Sequence, residues 1–454
     1  MMAILYRIPT TMFLLAAVSG VAGENSPERY NLAPGQEIRY DTVDDFALKD
    51  GTYDDQVQWI AWVARRNDDG SAHIVLRTTT SSQQIQDGKP VTTSGPRMDL
   101  VCFDLFPDGR CVNESSYEPR WASEACRIFP MLPGRVTDQS WVQQMAFAAI
   151  HYSRADSQAN ARDFVFEGRR ESPESAIYLI SDTNTFHFDS TRGLVAEVQN
   201  RNSQGYGMKG AGRGKTTLTG VEARSAEWIA KLDRESKAYF ASVASYERDL
   251  ELALNNPDMT DGLLLQGQAG LRAAREKMTL PDLIRMIDEA ISNHNRFAEY
   301  AKEESRLRAR TLNHPAIDWS LHDLSGKSHA LSDYRGKIVV LDFWYRGCQW
   351  CIRAMPQIER ITDVFKNDPV IVLGMNTDED ARDAKFVVEK LGLTCDVLRV
   401  DPRLPELAKC GVRGFPTLLI IDQRGIVRGM YVGYSSDLYQ KVEQDVRNLL
   451  KAAR

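Results

Sequence analysis

The chain of 454 residues lacks a membrane-spanning run. Its apolar N-terminal stretch, Met12 to Val18, falls well short of the ~20 residues a transmembrane helix needs, and no other segment comes near. Histidine is scarce: seven are scattered, with no H-x-x-x-H and no Cys/His cluster, so no metal is expected. Basic blocks are missing too. Lys and Arg total 56 against 62 Asp and Glu, a net charge of −6, which argues against a nucleic-acid partner. A phosphate loop ending at Gly214-Lys215-Thr216 would need glycine at 209, where Lys209 stands, so Gly205 to Gly214 is expected as a hairpin loop. No second C-x-x-C accompanies the first, as a zinc site would require.

Ordinary hydrophobic (43%) and charged (26%) content marks a soluble globular chain long enough for two to four domains. Arg7, the apolar Met12 to Val18, and the small residues Ser19 to Gly23 follow the layout of a secretory signal over residues 1–23, cut near Ala22 or Gly23. The mature protein is then expected in the periplasm or outside the cell, without a stable membrane span, where disulfides persist. Residues 24–221 read as a β-rich domain of unknown function. Gln56–Val63 and His73–Arg77 flank the turn residues Asn67–Gly70, and Leu100–Phe106 and Arg110–Val112 flank Pro107–Gly109. Further strands are expected at 163–167, 176–180, 185–189 and 194–198. Residues 222–311 form a helical hairpin and linker. Trp228, Leu232, Tyr239, Val243, Tyr246 and Leu250 mark one helix; Leu283, Met286, Ile287, Ala290, His294 and Phe297 mark the other, with Thr279 as its cap. The stripes are expected to pack as core, and His294 as a satisfied core residue; a homodimer interface is the sharper alternative.

The chemistry sits in residues 312–454. An apolar run, Ile338 to Trp344, leads into a short turn, Cys348-Gln349-Trp350-Cys351, and an amphipathic stretch bearing Met355, Ile358, Ile361 and Phe365. This is strand, turn and helix with C-x-x-C at the helix start. There, unpaired N–H groups and the helix dipole stabilise a thiolate. His314 to Trp344 carries L-H-D-L-S-G-K and L-S-D-Y-R-G-K before the redox strand, Pro356 follows eight residues after Cys348, and Gly414-Phe415-Pro416-Thr417 lies downstream. These residues resemble the TlpA/ResA-like branch of thioredoxin-fold proteins, over under a third of the chain. The fold class is therefore multidomain: a β-rich N-terminal domain, an α-helical middle segment and a C-terminal α/β thioredoxin-like fold.

The resemblance implies a thiol–disulfide oxidoreductase with Cys348 as the exposed sulfur, either the attacking thiolate or the one attacked by a substrate thiol, Cys351 as the resolving thiol and Pro416 as a cis-proline. Asp342, six residues before Cys348, occupies the buried-acid position and is expected to relay a proton to or from Cys351. Trp350, Phe415 and Pro416 are expected to contact the partner. Gln349-Trp350 and Gly347 depart from the family pattern and leave the direction of electron flow open. Cys395 and Cys410 are candidates for a structural disulfide or for free thiols; Cys102, Cys111 and Cys126 allow one bridge. No cofactor beyond the Cys348–Cys351 pair is expected. The expected partners are protein thiols or disulfides of the cell envelope and an electron donor. The main reading is an exported oxidoreductase acting as a reductase; the alternative is an envelope binding or scaffold protein with an accessory redox domain. A related peroxidase would need proline at 341 and Thr or Ser at 345, where Leu341 and Tyr345 stand.

Overall fold

The computed structural model describes residues 29–48, 51–112, 125, 127–135, 137–145, 148–155, 163–204, 210–401, 411–435 and 437–452. They divide into two compact units. One runs to Ser242 and adds Ala273–Ala290; the other comprises Val243–Arg272 and the residues from Ile291 onward. Among the described residues, no helix is long and apolar enough to cross a membrane.

The first unit is built on an eleven-stranded antiparallel sheet. Its strands are β1 (Gln36–Leu48), β2 (Gly51–Arg66), β3 (Ala72–Gln86), β4 (Lys89–Leu105), β5 (Cys111–Val112), β6 (Ser140–Gln144), β7 (Ala149–Arg154), β8 (Asp163–Glu171), β9 (Ser181–Asp189), β10 (Leu194–Gln204) and β11 (Gly210–Ala223). The order β5-β4-β3-β2-β1-β11-β10-β9-β8-β7-β6 makes every neighbour but one a sequential hairpin; β1 and β11 join the two meanders. The expected turns at Asn67–Gly70 and Pro107–Gly109 connect β2 to β3 and β4 to β5. Alternation puts Ile38, Tyr40, Trp59, Ala61, Val63, Phe164, Phe166, Phe186 and Phe188 into one buried cluster. Phe166 stacks on both Phe164 and Phe186 at 4.9 Å. Each such ring contributes about 1.5–3 kcal/mol of burial. Glu37, fully buried, accepts from Trp62 Nε1 at 2.6 Å and from Arg39 and Arg224, partners that hold its carboxyl down at about 2 against the opposing effect of burial.

Two local expectations in the sheet give way here. Residues 176–180, read as a strand, instead end the short helix α1 (Pro173–Tyr178). Ser172 caps it through Ser175 N, proline starts its first turn, and Leu179 closes it at φ 54°. An apolar run of five residues cannot by itself separate strand from helix. Gly210 to Gly214, read as loop, is strand β11 paired with β1 and β10; a side chain at Gly212 or Gly214 would collide with Asn202 or Asp44. The remainder of that loop, 205–209, lies outside the described residues, as does the signal at 1–23.

The helical segment forms α2 (Ala226–Asn255), α3 (Thr260–Arg275) and α4 (Pro281–Thr311), so a third helix stands where a hairpin was expected. The cap assigned to Thr279 belongs to Glu235: its carboxylate accepts from the backbone N–H groups of Thr279 and Leu280 at 2.8 and 2.9 Å.

In the second unit, Tyr246 OH meets His294 Nδ1 at 3.0 Å, the satisfied core histidine anticipated. Arg308 donates to Met430 O at 3.0 Å and to Asn255 Oδ1 at 3.1 Å, tying α4 to the redox sheet. That region opens with a small hairpin, β12 (Ser320–His322) and β13 (Ser328–Ala330). Its main sheet consists of β14 (Ile338–Trp344), β15 (Val370–Asn376), β16 (Asp396–Arg399), β17 (Thr417–Ile421) and β18 (Val427–Val432), in the order β16-β15-β14-β17-β18. Central β14 is buried along its whole length, parallel to β15 and antiparallel to β17. The helices are α5 (Gln349–Val364), α6 (Ala381–Leu391) and α7 (Leu438–Ala452).

Candidate active site

β14 delivers the chain to the site, and α5 carries it away. Cys348 is the N-cap of α5, its Sγ accepting from Cys351 N at 3.1 Å, and the two sulfurs form a disulfide with Cα atoms 5.2 Å apart. The helix start leaves backbone N–H groups aimed at Cys348, the arrangement that favours its thiolate once the bond is reduced. Cys348 is 6% exposed and Cys351 1%. Cys348 is thus buried rather than exposed as expected, though more exposed than Cys351.

The turn before Cys348 is clamped. Cys348 N donates to Tyr345 O at 3.1 Å, and Arg346 N reaches both carboxylate oxygens of Asp378 at 3.1 Å. Thr377 N donates to Trp344 O at 3.0 Å, while Asn376 Nδ2 holds Asp378 at 2.7 Å. The buried Arg346 guanidinium bonds Asp383 at 2.9 Å and lies over the Phe386 ring at 4.0 Å. Burial, the largest influence on Asp378, raises its carboxyl above the usual range. None of these clamping residues was singled out from sequence. The one available signal was Arg346, a charge between a buried strand and the redox cysteines.

Asp342 lies in the middle of β14. Alternation sends its neighbours Leu341 and Phe343 into the cluster with Leu373, Leu419 and Ile421. Asp342 therefore points to the opposite face, the one covered by α5, whose buried Cys351, Ile352 and Met355 take no part in that cluster. Its cross-strand neighbours are Gly374, which has no side chain, and Leu418, which has no donor. Asp342 is 3% exposed, its Oδ1 has no hydrogen-bond partner among the described residues, and burial pushes its carboxyl up to about 7.

Cys395 carries a free thiol, so the bridge offered for Cys395 and Cys410 is not formed. Its sulfur is instead folded against the sheet, within the field of Asp342 and of Glu359 on α5; burial first, then those two carboxylates, push the thiol up to about 12. Cys410 lies outside the described residues. Cys102 and Cys111 are likewise not disulfide-bonded, and Cys126 is outside the described residues.

The peptide bond Phe415–Pro416 is cis, as the resemblance implies. The Phe415 ring meets Tyr345 edge-on at 5.2 Å, which sets the cis-proline loop against the turn that leads to Cys348. Trp350, between the two cysteines, stacks on Tyr434 at 5.6 Å and carries the Arg353 guanidinium at 4.7 Å. Cys348, Cys351, Trp350, Phe415 and Pro416 thus gather at one end of the sheet, with Asp342 beneath.

A dithiol at a helix start, an acid titrating near neutrality and a cis-proline loop together suit thiol–disulfide exchange. Comparison with known proteins agrees. The model of the AhpC/TSA family matches residues 312–430. The thiol–disulfide oxidoreductase ResA of Geobacillus thermodenitrificans is 29% identical over 171 residues, 37% of this chain and 96% of that protein. Its counterpart in Geobacillus kaustophilus is 36% identical over 118 residues, 26% of this chain and 67% of that protein. A solved structure, a putative thiol:disulfide interchange protein DsbE from Chlorobium tepidum, is 28% identical and covers 31% of this chain and 97% of its own, with a TM-score of 0.29. Through residues 312–430 and the Cys348–Cys351 centre, the chain belongs to the ResA-like thiol–disulfide oxidoreductases of the thioredoxin-like class.

Proposed function

We propose that the protein is exported and acts as a reductase of disulfides in envelope proteins, using no cofactor beyond its own cysteine pair. The observation that carries this reading is the Cys348–Cys351 disulfide at the α5 N-terminus, with the buried Asp342, whose Oδ1 has no hydrogen-bond partner among the described residues, on the strand that leads to it. In the reduced enzyme, the Cys348 thiolate attacks one sulfur of a partner disulfide. A mixed disulfide forms and the partner's other sulfur leaves as a thiolate. Asp342 then takes the Cys351 proton, and the Cys351 thiolate attacks Cys348 Sγ. The partner's second sulfur is released, the partner leaves with two thiols, and the enzyme keeps the two-electron oxidation as its disulfide. A donor dithiol of the envelope regenerates the enzyme by two exchanges: one donor thiolate opens the Cys348–Cys351 disulfide, the second resolves the mixed disulfide, and the donor leaves oxidised as its own disulfide.

Phe415, Pro416 and Trp350 form the docking rim in this scheme. Among the described residues, neither the N–H nor the C=O of Phe415 has a backbone partner outside the regular helices and strands, an arrangement suited to taking an extended partner chain as an added strand. Export rests on the signal layout of residues 1–23. A homodimer through the helical segment remains part of the proposal.

The test is trapping. Cys351→Ala is expected to accumulate mixed disulfides with envelope proteins through Cys348, and Cys348→Ala to accumulate none. Adducts that depend on Cys395 would overturn the assignment. Direction is read by equilibration with glutathione. A reductase requires a potential nearer thioredoxin's, about −270 mV, than that of the oxidant DsbA, about −120 mV.

A further inference from the structure

Only three aromatic side chains rank as exposed among the described residues, and two of them flank the disulfide: Tyr345 at 38% and Trp350 at 36%. Single exposed apolar residues need no explanation. These two differ because each is held in place by another ring. Trp350 lies on Tyr434, which is itself buried, and Tyr345 stands edge-on to Phe415 in the cis-proline loop.

Tyr345 reaches that position because residue 347 is glycine. A Cβ at Gly347 would lie 2.9 Å from Tyr345 Cε2 and 3.3 Å from Cδ2, closer than a carbon can sit without displacing the ring. The turn closed by Cys348 N and Tyr345 O folds the ring back over the glycine. Gly347, a departure from the family pattern in sequence, is the space that seats an aromatic wall beside Cys348.

We infer that Tyr345, seated on Gly347, is a specificity-determining residue that selects polypeptide disulfides whose cysteine has an aromatic or branched aliphatic neighbour. The inference rests on the reductase reading above and adds the class of substrate. The chemistry is that of a pre-positioned ring. Tyr345 is fixed before the partner arrives, so contact with an apolar side chain loses little conformational freedom. Its polar hydroxyl lets the ring remain in water when no partner is bound. A cysteine flanked by small polar residues gains nothing from the wall.

The experiment uses the full mature protein in its reduced form and two peptide disulfides of equal length and charge, one with phenylalanine and one with serine on both sides of the cysteine. The expected result is roughly tenfold higher kcat/KM for the phenylalanine peptide, carried by KM, the scale of one aromatic contact. Tyr345→Ala is expected to reduce that ratio to about twofold by the loss of the same contact. Tyr345→Phe is expected to keep it, and Gly347→Ala, which displaces the ring, to lower it as Tyr345→Ala does. Equal rates on the two peptides, or a ratio that survives Tyr345→Ala, would overturn the specificity role alone. Failure of the reduced protein to act on either peptide would overturn the reductase reading with it.

Discussion

Replacing Asp342 by asparagine removes a carboxyl that the fold pushes up to about 7 from an ordinary 3.8 solely by burial. The sign follows from which state holds the proton. Between those two values the folded chain keeps Asp342 protonated while the unfolded chain releases the proton, so native stability falls as pH rises through this window. Three pKa units correspond to about 4 kcal/mol at full ionisation, an upper limit for a fully buried group. Asparagine keeps the shape and does not titrate. Hydrogen exchange of the β14 amides, compared between Asp342→Asn and the parent at matched pH, should therefore show little difference near pH 4 and slower opening in the variant by pH 8. The same substitution removes the proton acceptor for Cys351. Single-turnover resolution of a Cys348 mixed disulfide should slow by roughly 10²-fold at neutral pH, the scale of general-base catalysis, and lose its inflection near 7. A protection difference that is flat with pH would refute the burial that raises this carboxyl. Unchanged resolution would leave the burial and remove the relay.

Glu37 has the opposite sign: its carboxyl sits at about 2 rather than 4.5, so its stabilisation is present above 4.5 and is lost as pH falls toward 2. Glu37→Gln should destabilise the large sheet by roughly 1–3 kcal/mol at pH 7, read by denaturant midpoint, because the buried carboxylate that accepts from Trp62, Arg39 and the partly exposed Arg224 loses its charge. Cys395 should resist iodoacetamide in the native oxidised protein at pH 8, since its thiol stands at about 12, and should react once urea unfolds the chain; mass mapping of the alkylated residues checks this. Asp378→Ala should unpin Arg346 N and Asn376, each lost bond amounting to about 1–3 kcal/mol, and raise amide exchange at Arg346 roughly tenfold or more.

The redox centre was legible because its signals are local. A buried strand, a C-x-x-C at a helix start and a Phe-Pro pair downstream each impose their geometry within a few residues. Strand-turn-strand patterns such as Gln56–Arg77 were legible for the same reason. The misreadings have a common source. Ala176–Ile180 took its helix from the Ser172-Pro173 start just outside the run. Thr279 yielded its cap to Glu235, 44 residues away.

Residue identity alone thus determined the reaction: two cysteines, their spacing and the helix that follows them. The tertiary structure decided how that reaction is tuned. Burial pushes Asp342 up to about 7, and Gly374 and Leu418, which β15 and β17 set beside it, bring no side-chain donor. Tyr345 is a wall of the site because Gly347 leaves it room and Phe415, seventy residues on, gives it a partner. Desolvation and ring contacts depend on what lies within a few ångströms in space, and sequence order does not record that distance.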